Sequence, residues 1–212
     1  MSIWKENPST YRRNLPHFTP PDAALFITFR LHNSLPKSVL DRLQAEHRQI
    51  ASFAKSQSST AEEIAIMRKK HFAKFDRMLD SSKESQFLSN PLAARIVADT
   101  LHSLDREGHV TLWCFTIMSN HVHVLLSLTD PEKSLRHIMQ LLKGRSAFEC
   151  NKALGRSGTF WQHESYDHVV RDGEFDRIIE YILMNPVHAG LVANWDDYPW
   201  TYLHPKLGGV AL

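Results

Sequence analysis

The 212 residues are 42% hydrophobic with a formal net charge of +2, enough apolar content for one sizeable core and too little charge for a field that acts at a distance. A polyanionic partner therefore has to meet a local patch. The two cysteines, Cys114 and Cys150, form no CxxC pattern, which excludes a cysteine metal site and suits a reducing compartment. The polar, proline-broken N-terminus does not read as a secretion signal, and no apolar run is long enough to span a bilayer. A soluble, cytoplasmic protein with no membrane partner is the expectation.

Residues 1 to 22 hold Arg12-Arg13-Asn14-Leu15-Pro16-His17 and Pro20-Pro21, a loop-forming arm. Ala24 to Leu31 reads as a first strand, so continuously apolar and β-branched that both its faces are expected to be buried. A helix is predicted from Pro36 to about Ser58, with Val39, Leu40, Leu43 and Ile50 at helical spacing, and a second, rich in alternating charge, from Ala61 to Leu79. After the polar break at Ser81-Ser82-Lys83-Glu84-Ser85, Pro91 to Leu104 is amphipathic, with Leu92, Ile96, Val97, Thr100 and Leu101 on its apolar side.

Two apolar runs, Thr111 to Met118 and Val122 to Leu128, flank Ser119-Asn120 as a hairpin. Residues two apart on a strand share a face, so His121 and His123 converge while Val122 and Val124 turn into the core. Two imidazoles on one cation leave positions open, which suits a catalytic site. His-x-His also fits the polar face of a half-buried strand, and spacing alone leaves both readings open. Next, Asp130-Pro131-Glu132 is expected to cap a helix reaching about Ala153, with Leu135, Ile138, Met139, Leu142 and Phe148 inward and Arg136, Lys143, Arg145 and Lys152 on the wet face. Phe160 to Gln162 and Tyr166 to Arg171 form a strand region. A last helix covers Glu174 to Met184 and ends at Asn185-Pro186. On it Phe175, Ile178, Ile179, Ile182 and Leu183 cluster, while Tyr181 and Asn185 sit one turn apart on a neighbouring side.

This order predicts an α+β fold: a ferredoxin-like βαββαβ core with an antiparallel sheet, a helical excursion at about 36–105 within one domain of residues 1–212, and a C-terminal helix carrying the tyrosine. Such a fold hosts many functions. The combination Ser119-Asn120-His121-Val122-His123 with Tyr181-Ile182-Leu183-Met184-Asn185-Pro186-Val187-His188-Ala189-Gly190 is more specific. It resembles the REP-associated tyrosine transposases, of the single-tyrosine HUH family that mobilises insertion sequences as single strands. Phe160-Trp161-Gln162, Tyr166 to Arg171 and the opening segment are also similar to that group.

The resemblance implies a metal-dependent DNA strand cleavage and transfer through a 5′-phosphotyrosine. It places the nucleophile on Tyr181, metal ligands on His121, His123 and Asn185, and Mg²⁺ or Mn²⁺ as cofactor, whereas imidazole ligands alone point first to metals such as zinc. It further implies single-stranded or hairpin DNA as partner, with a monomer or a homodimer acting on it. Arg12, Arg13, Arg30, Arg136, Lys143, Arg145 and Arg171 are candidates for phosphate contacts, and Trp161 or Tyr166 for base stacking, with core packing the rival role for Trp161. Three other readings compete: a hairpin-binding protein that no longer cuts, a structural metal site, and a histidine-triad hydrolase, which needs a third alternating histidine where this chain has Leu125.

Overall fold

A computed structural model describes residues 23–55, 60–130 and 133–208; Arg12 and Arg13 lie outside them. Ten main elements follow in chain order: β1 (Ala24–Leu31), α1 (Lys37–Phe53), α2 (Ala61–Ser81), α3 (Pro91–Arg106), β2 (Val110–Ile117), β3 (His121–Leu128), α4 (Leu135–Ala153), β4 (Trp161–Val169), α5 (Phe175–His188) and β5 (Thr201–Leu203). The strands make one sheet in the order β4-β1-β3-β2-β5, with every neighbouring pair antiparallel. Its first four strands have the order expected for the βαββαβ core. The edge strand β5, only three residues long, is too short to leave a period and was not foreseen.

Local chemistry sets the helix starts. Thr60 and Glu63 form a capping box on α2: Glu63 N donates to Thr60 Oγ1 at 3.2 Å and Thr60 N to Glu63 Oε2 at 2.9 Å. Asn90 Oδ1 accepts from Leu92 N at 2.9 Å ahead of Pro91, whose missing amide costs nothing in a first turn. For α4 the cap is Ser134, not Asp130: the helix opens at Leu135, and the Ser134 side chain accepts from His137 N.

The central strands β1 and β3 are buried on both faces. On one, Ile27 and Phe29 of β1 and Val122, Val124 and Leu126 of β3 pack with Ala93, Val97 and Leu101 of α3 and with Ile138 and Leu142 of α4. On the other, Phe26, Cys114 and Leu125 pack with Phe72 of α2 and with Ile179, Ile182 and Leu183 of α5. Helix α1 packs on α2 rather than on the sheet, through Leu43 and Leu79 together with Leu35.

Two expected inward residues point out: Leu92 is 51% and Phe148 68% exposed. At 100° per residue Leu92 lies roughly 140° from the centre of the buried arc of α3, and Phe148 roughly 150° from that of α4. The end of α5 also differs from expectation. Pro186 removes one amide donor, yet Ala189 N still reaches Asn185 O at 3.0 Å and Leu191 N reaches Pro186 O at 2.9 Å. The helix therefore runs on to His188 and closes at Gly190, whose φ of 70° favours glycine.

Candidate active site

Strand β3 supplies the first half of the site. Val122 and Val124 enter the aliphatic layer as the period of two requires, and His121 and His123 face α2 and α5 instead. Both histidines are 0% exposed, so they are not the wet face of a half-buried strand. Their Nε2 atoms lie 3.1 Å apart.

The outer ring nitrogens are held from behind. Asn120 is buried in the hairpin turn, where its Nδ2 donates to Leu79 O at 2.9 Å. That contact fixes the amide orientation, so Asn120 Oδ1 accepts from His121 Nδ1 at 2.7 Å. With its proton on Nδ1, His121 presents a lone pair on Nε2, toward the centre of the cluster. His123 Nδ1 is anchored at 2.7 Å by Thr28 Oγ1, from the cross-strand partner position on β1. Burial, followed by the neighbouring His123, pushes the His121 imidazole down to about 3, so it stays neutral at ordinary pH.

Helix α2 brings the second half. Asp76 is 4% exposed, and its Oδ1 stands 3.2 Å from His123 Nε2 and 3.9 Å from His121 Nε2. Neither approach has hydrogen-bond geometry, and this buried oxygen has no hydrogen-bond partner. Its other oxygen, Oδ2, accepts from the Tyr181 hydroxyl of α5. Burial alone would raise the Asp76 carboxyl, but the imidazoles and the tyrosine hydroxyl outweigh it and keep it well below the usual carboxylate range. Tyr181 is pushed up strongly, first by burial and then by the Asp76 charge. One turn further along α2, Asp80 Oδ1 lies 3.8 Å from His121 Nε2 at the solvent edge, and burial together with Asp76 pushes its carboxyl up to about 6.

Aromatic rings hold the two helices over the histidines. Phe72 of α2 stacks on Tyr166 of β4 at 4.1 Å and meets Phe26 of β1 edge-on at 5.5 Å. The Tyr181 ring stands 5.7 Å from His123 and 5.8 Å from Phe26. Asn185, one turn beyond Tyr181, is 3% exposed and its Oδ1 is the other buried side-chain oxygen with no partner among the described residues.

Asp76, His121 and His123 offer ligand atoms that all lie within 4.8 Å of one another. An orphaned carboxylate oxygen beside an inward imidazole lone pair is the donor set of a divalent cation, so the residues fit one. The carboxylate adds a hard ligand to two imidazoles, a combination open to manganese and magnesium as well as to zinc.

The cationic candidates lie elsewhere. Arg30 is only 7% exposed because β1 is a central strand covered on both faces; its guanidinium donates to Ser34 Oγ at 3.1 Å, and burial lowers it to about 10. Lys143 donates to the carbonyls of Gln162, His163 and Glu164 along β4, and Arg145 grips both oxygens of Glu107 at 2.8 Å. Both belong to α4, as does the exposed Arg136, and α4 covers the sheet face opposite the histidines. Arg171 is exposed just before α5. Trp161 is a core residue, 5% exposed with its indole N–H on Ser146 Oγ at 2.9 Å.

The sequence reading missed Asp76, Asp80 and the anchors Asn120 and Thr28. One signal for Asp76 was present: Phe72, Asp76 and Leu79 share an apolar stripe at i, i+4 and i+7. A carboxylate inside such a stripe needs a partner.

Two histidines on a central strand thus face a tyrosine on a helix laid over the same sheet. The sequence model of the family described as Transposase IS200 like matches residues 73–185, more than half of the chain, and the chain belongs to that family. Within it, the chain is 22% identical over 101 residues to the REP-associated tyrosine transposase of Escherichia coli strain K12, a stretch covering 47% of this chain and 57% of that relative. The fold is similar to that of a REP-associated tyrosine transposase solved bound to a REP hairpin, with a TM-score of 0.55, 15% identity, and coverage of 95% of this chain and 86% of that one. No described helix is long and apolar enough to cross a membrane.

Proposed function

We propose that this chain cuts and rejoins single-stranded or hairpin-forming repeat DNA through a 5′-phosphotyrosine at Tyr181, with Mg²⁺ or Mn²⁺ held by His121, His123 and Asp76. The observation that carries this reading is the shared carboxylate: one oxygen of Asp76 holds the Tyr181 hydroxyl while the other faces both imidazoles. Nucleophile and cation site are thereby tied to the same residue. The unpartnered Oδ1 of Asn185 is a further oxygen donor suited to the same ion. All these groups come from one chain, so the reading needs no second subunit.

His121, His123 and Asp76 would hold a divalent cation, whose positive charge would ease attack on the phosphate and departure of the 3′-oxygen. The residues do the rest. Tyr181 forms the new bond to phosphorus, and the bond from phosphorus to the 3′-oxygen breaks. The electron pair leaves on that oxygen, which takes a proton from water to become a 3′-hydroxyl. Asp76 Oδ2 fixes the direction of the phenol and is the atom placed to receive its proton. Buried Phe26 and Phe72 and half-buried Tyr166 screen the linkage from bulk water, so its bond energy is kept for a second 3′-hydroxyl.

The test uses hairpin oligonucleotides from repeats flanking the source gene, labelled at either end and incubated with Mn²⁺ or EDTA. The expected product is a metal-dependent protein adduct on the 5′ end of the cut strand, reduced on the order of a thousandfold or more in Tyr181→Phe. Hairpin binding by the wild type without any adduct would overturn the catalytic reading in favour of a DNA-binding protein that has lost cleavage.

A further inference from the structure

We infer that the open flank of α2, through Lys69, Lys70 and Arg77, is the track along which the DNA strand approaches Tyr181. This inference rests on the reading of DNA as substrate. At 100° per residue, and with Asp76 set at zero, Phe72 and Leu79 fall roughly 40° and 60° to one side, over the sheet. Phe75, Met78 and Leu79, packed with residues of α1, and His71, bonded to Leu43 O, continue that side. The arc left open runs roughly 20° to 120° the other way and holds Lys69, Asp80, Ala73, Ile66, Arg77 and Lys70, with Glu62 on the same arc ~10 Å before Lys69 at the helix start.

Lys69, Lys70 and Arg77 are exposed and make no ion pair among the described residues. Arg77 Nε donates to Ala73 O at 3.2 Å, so its side chain lies back along the stripe. The span from Lys69 to Arg77 is ~12 Å, enough to meet more than one phosphate. The stripe borders Asp76 itself, so a strand lying on it would pass the mouth of the site, at Asp80, on its way to Tyr181.

The other walls repel or miss such a strand. The outer side of α5 carries Asp176 and Glu180, and a groove beside Glu180 is lined also by Asp196 and Asp197. A polyanion is disfavoured there. Arg136 and Arg145 stand on α4, on the far side of the sheet, and Arg145 is already paired with Glu107. Near α5 the exposed cations are Arg171 and Arg177, the latter paired with Glu174, whereas α2 offers three exposed cations with no ion pair among the described residues, the larger charge for phosphates.

The experiment measures binding of fluorescent hairpin and single-stranded oligonucleotides across a salt series, with the fold of each variant checked by circular dichroism. The variants are a triple Lys69→Gln, Lys70→Gln, Arg77→Gln and a control, Arg106→Gln with Lys152→Gln, on α3 and α4. The triple variant is expected to bind on the order of tenfold more weakly, with the slope of log affinity against log salt shallower by about two, since each neutralised phosphate contributes about 0.7 on a single strand. The control is expected to match the wild type. A triple variant with wild-type affinity and slope would overturn the track while leaving DNA as the substrate. Wild-type protein that binds no oligonucleotide would overturn the functional reading, and the track with it.

Discussion

On one face of the sheet Ile27, Val122, Val124 and Leu126 meet α3 and α4 through aliphatic contact. On the other, from alternate positions of the same two strands, Thr28 anchors His123, and His121 and His123 meet Asp76, with Tyr181 beside His123. Both faces are dry, but one buries carbon while the other buries imidazole, carboxylate and phenol. Removing those polar groups from water costs free energy that their mutual contacts only partly return. The aliphatic face stabilises the strands enough for the other face to hold chemistry, and the period of two in β1 and β3 sorts the two tasks without any change of backbone.

The largest effect on stability is expected on the aliphatic face. Leu126 is fully buried there, so Leu126→Ala should lose ~2–5 kcal/mol in urea unfolding. The protein that stays folded should bind Mn²⁺ as the wild type does. Loss of the metal at unchanged stability would mean that the faces are not separate in function.

A smaller effect is expected behind the histidines. Asn120→Ala removes the acceptor that fixes the His121 tautomer, and such supporting groups are worth roughly 10- to 100-fold in metal affinity. Calorimetric titration with Mn²⁺ measures this directly, and an unchanged affinity would mean that His121 needs no anchor.

The smallest lies at the edge of the polar face, where Glu174 accepts from His168 Nε2 at 2.8 Å at the start of α5. Burial alone would raise the Glu174 carboxyl; its hydrogen bonds from His168 and the Arg171 amide outweigh that and lower it. A lowered folded value means that the contribution is present above the unfolded glutamate value of about 4.3 and is lost as pH falls through the folded one. Unfolding curves of wild type and Glu174→Gln should therefore converge between neutral and acidic pH. A gap that persists at low pH would place the effect in packing rather than charge.

The same contrast explains what the sequence disclosed. Ala24 to Leu31 was legible to the residue, because a central strand covered on both faces is continuously apolar. The strand period put His121 and His123 on one face, and the structure brings both rings together with Tyr181 beside them; the roles given to the three rest on the family motif. Asp76 was not legible, because it lies 45 residues before His121 on a helix whose abundant charge masked the one carboxylate that turns inward. Only the tertiary placement of α2 over β1 and β4 makes it part of the site. Pro186 misled for a related reason: the proline rule describes a lost amide, while the buried end of α5 is closed by the next amides along.

The central claim is that α2 completes a cation site begun by β3, and direct Mn²⁺ titration of wild type and Asp76→Asn tests it. One ion per chain is predicted for the wild type, with affinity at least tenfold weaker in Asp76→Asn while circular dichroism shows the fold retained. An Asp76→Asn protein that binds Mn²⁺ as tightly as the wild type would contradict the claim and leave the two histidines to find their third ligand elsewhere.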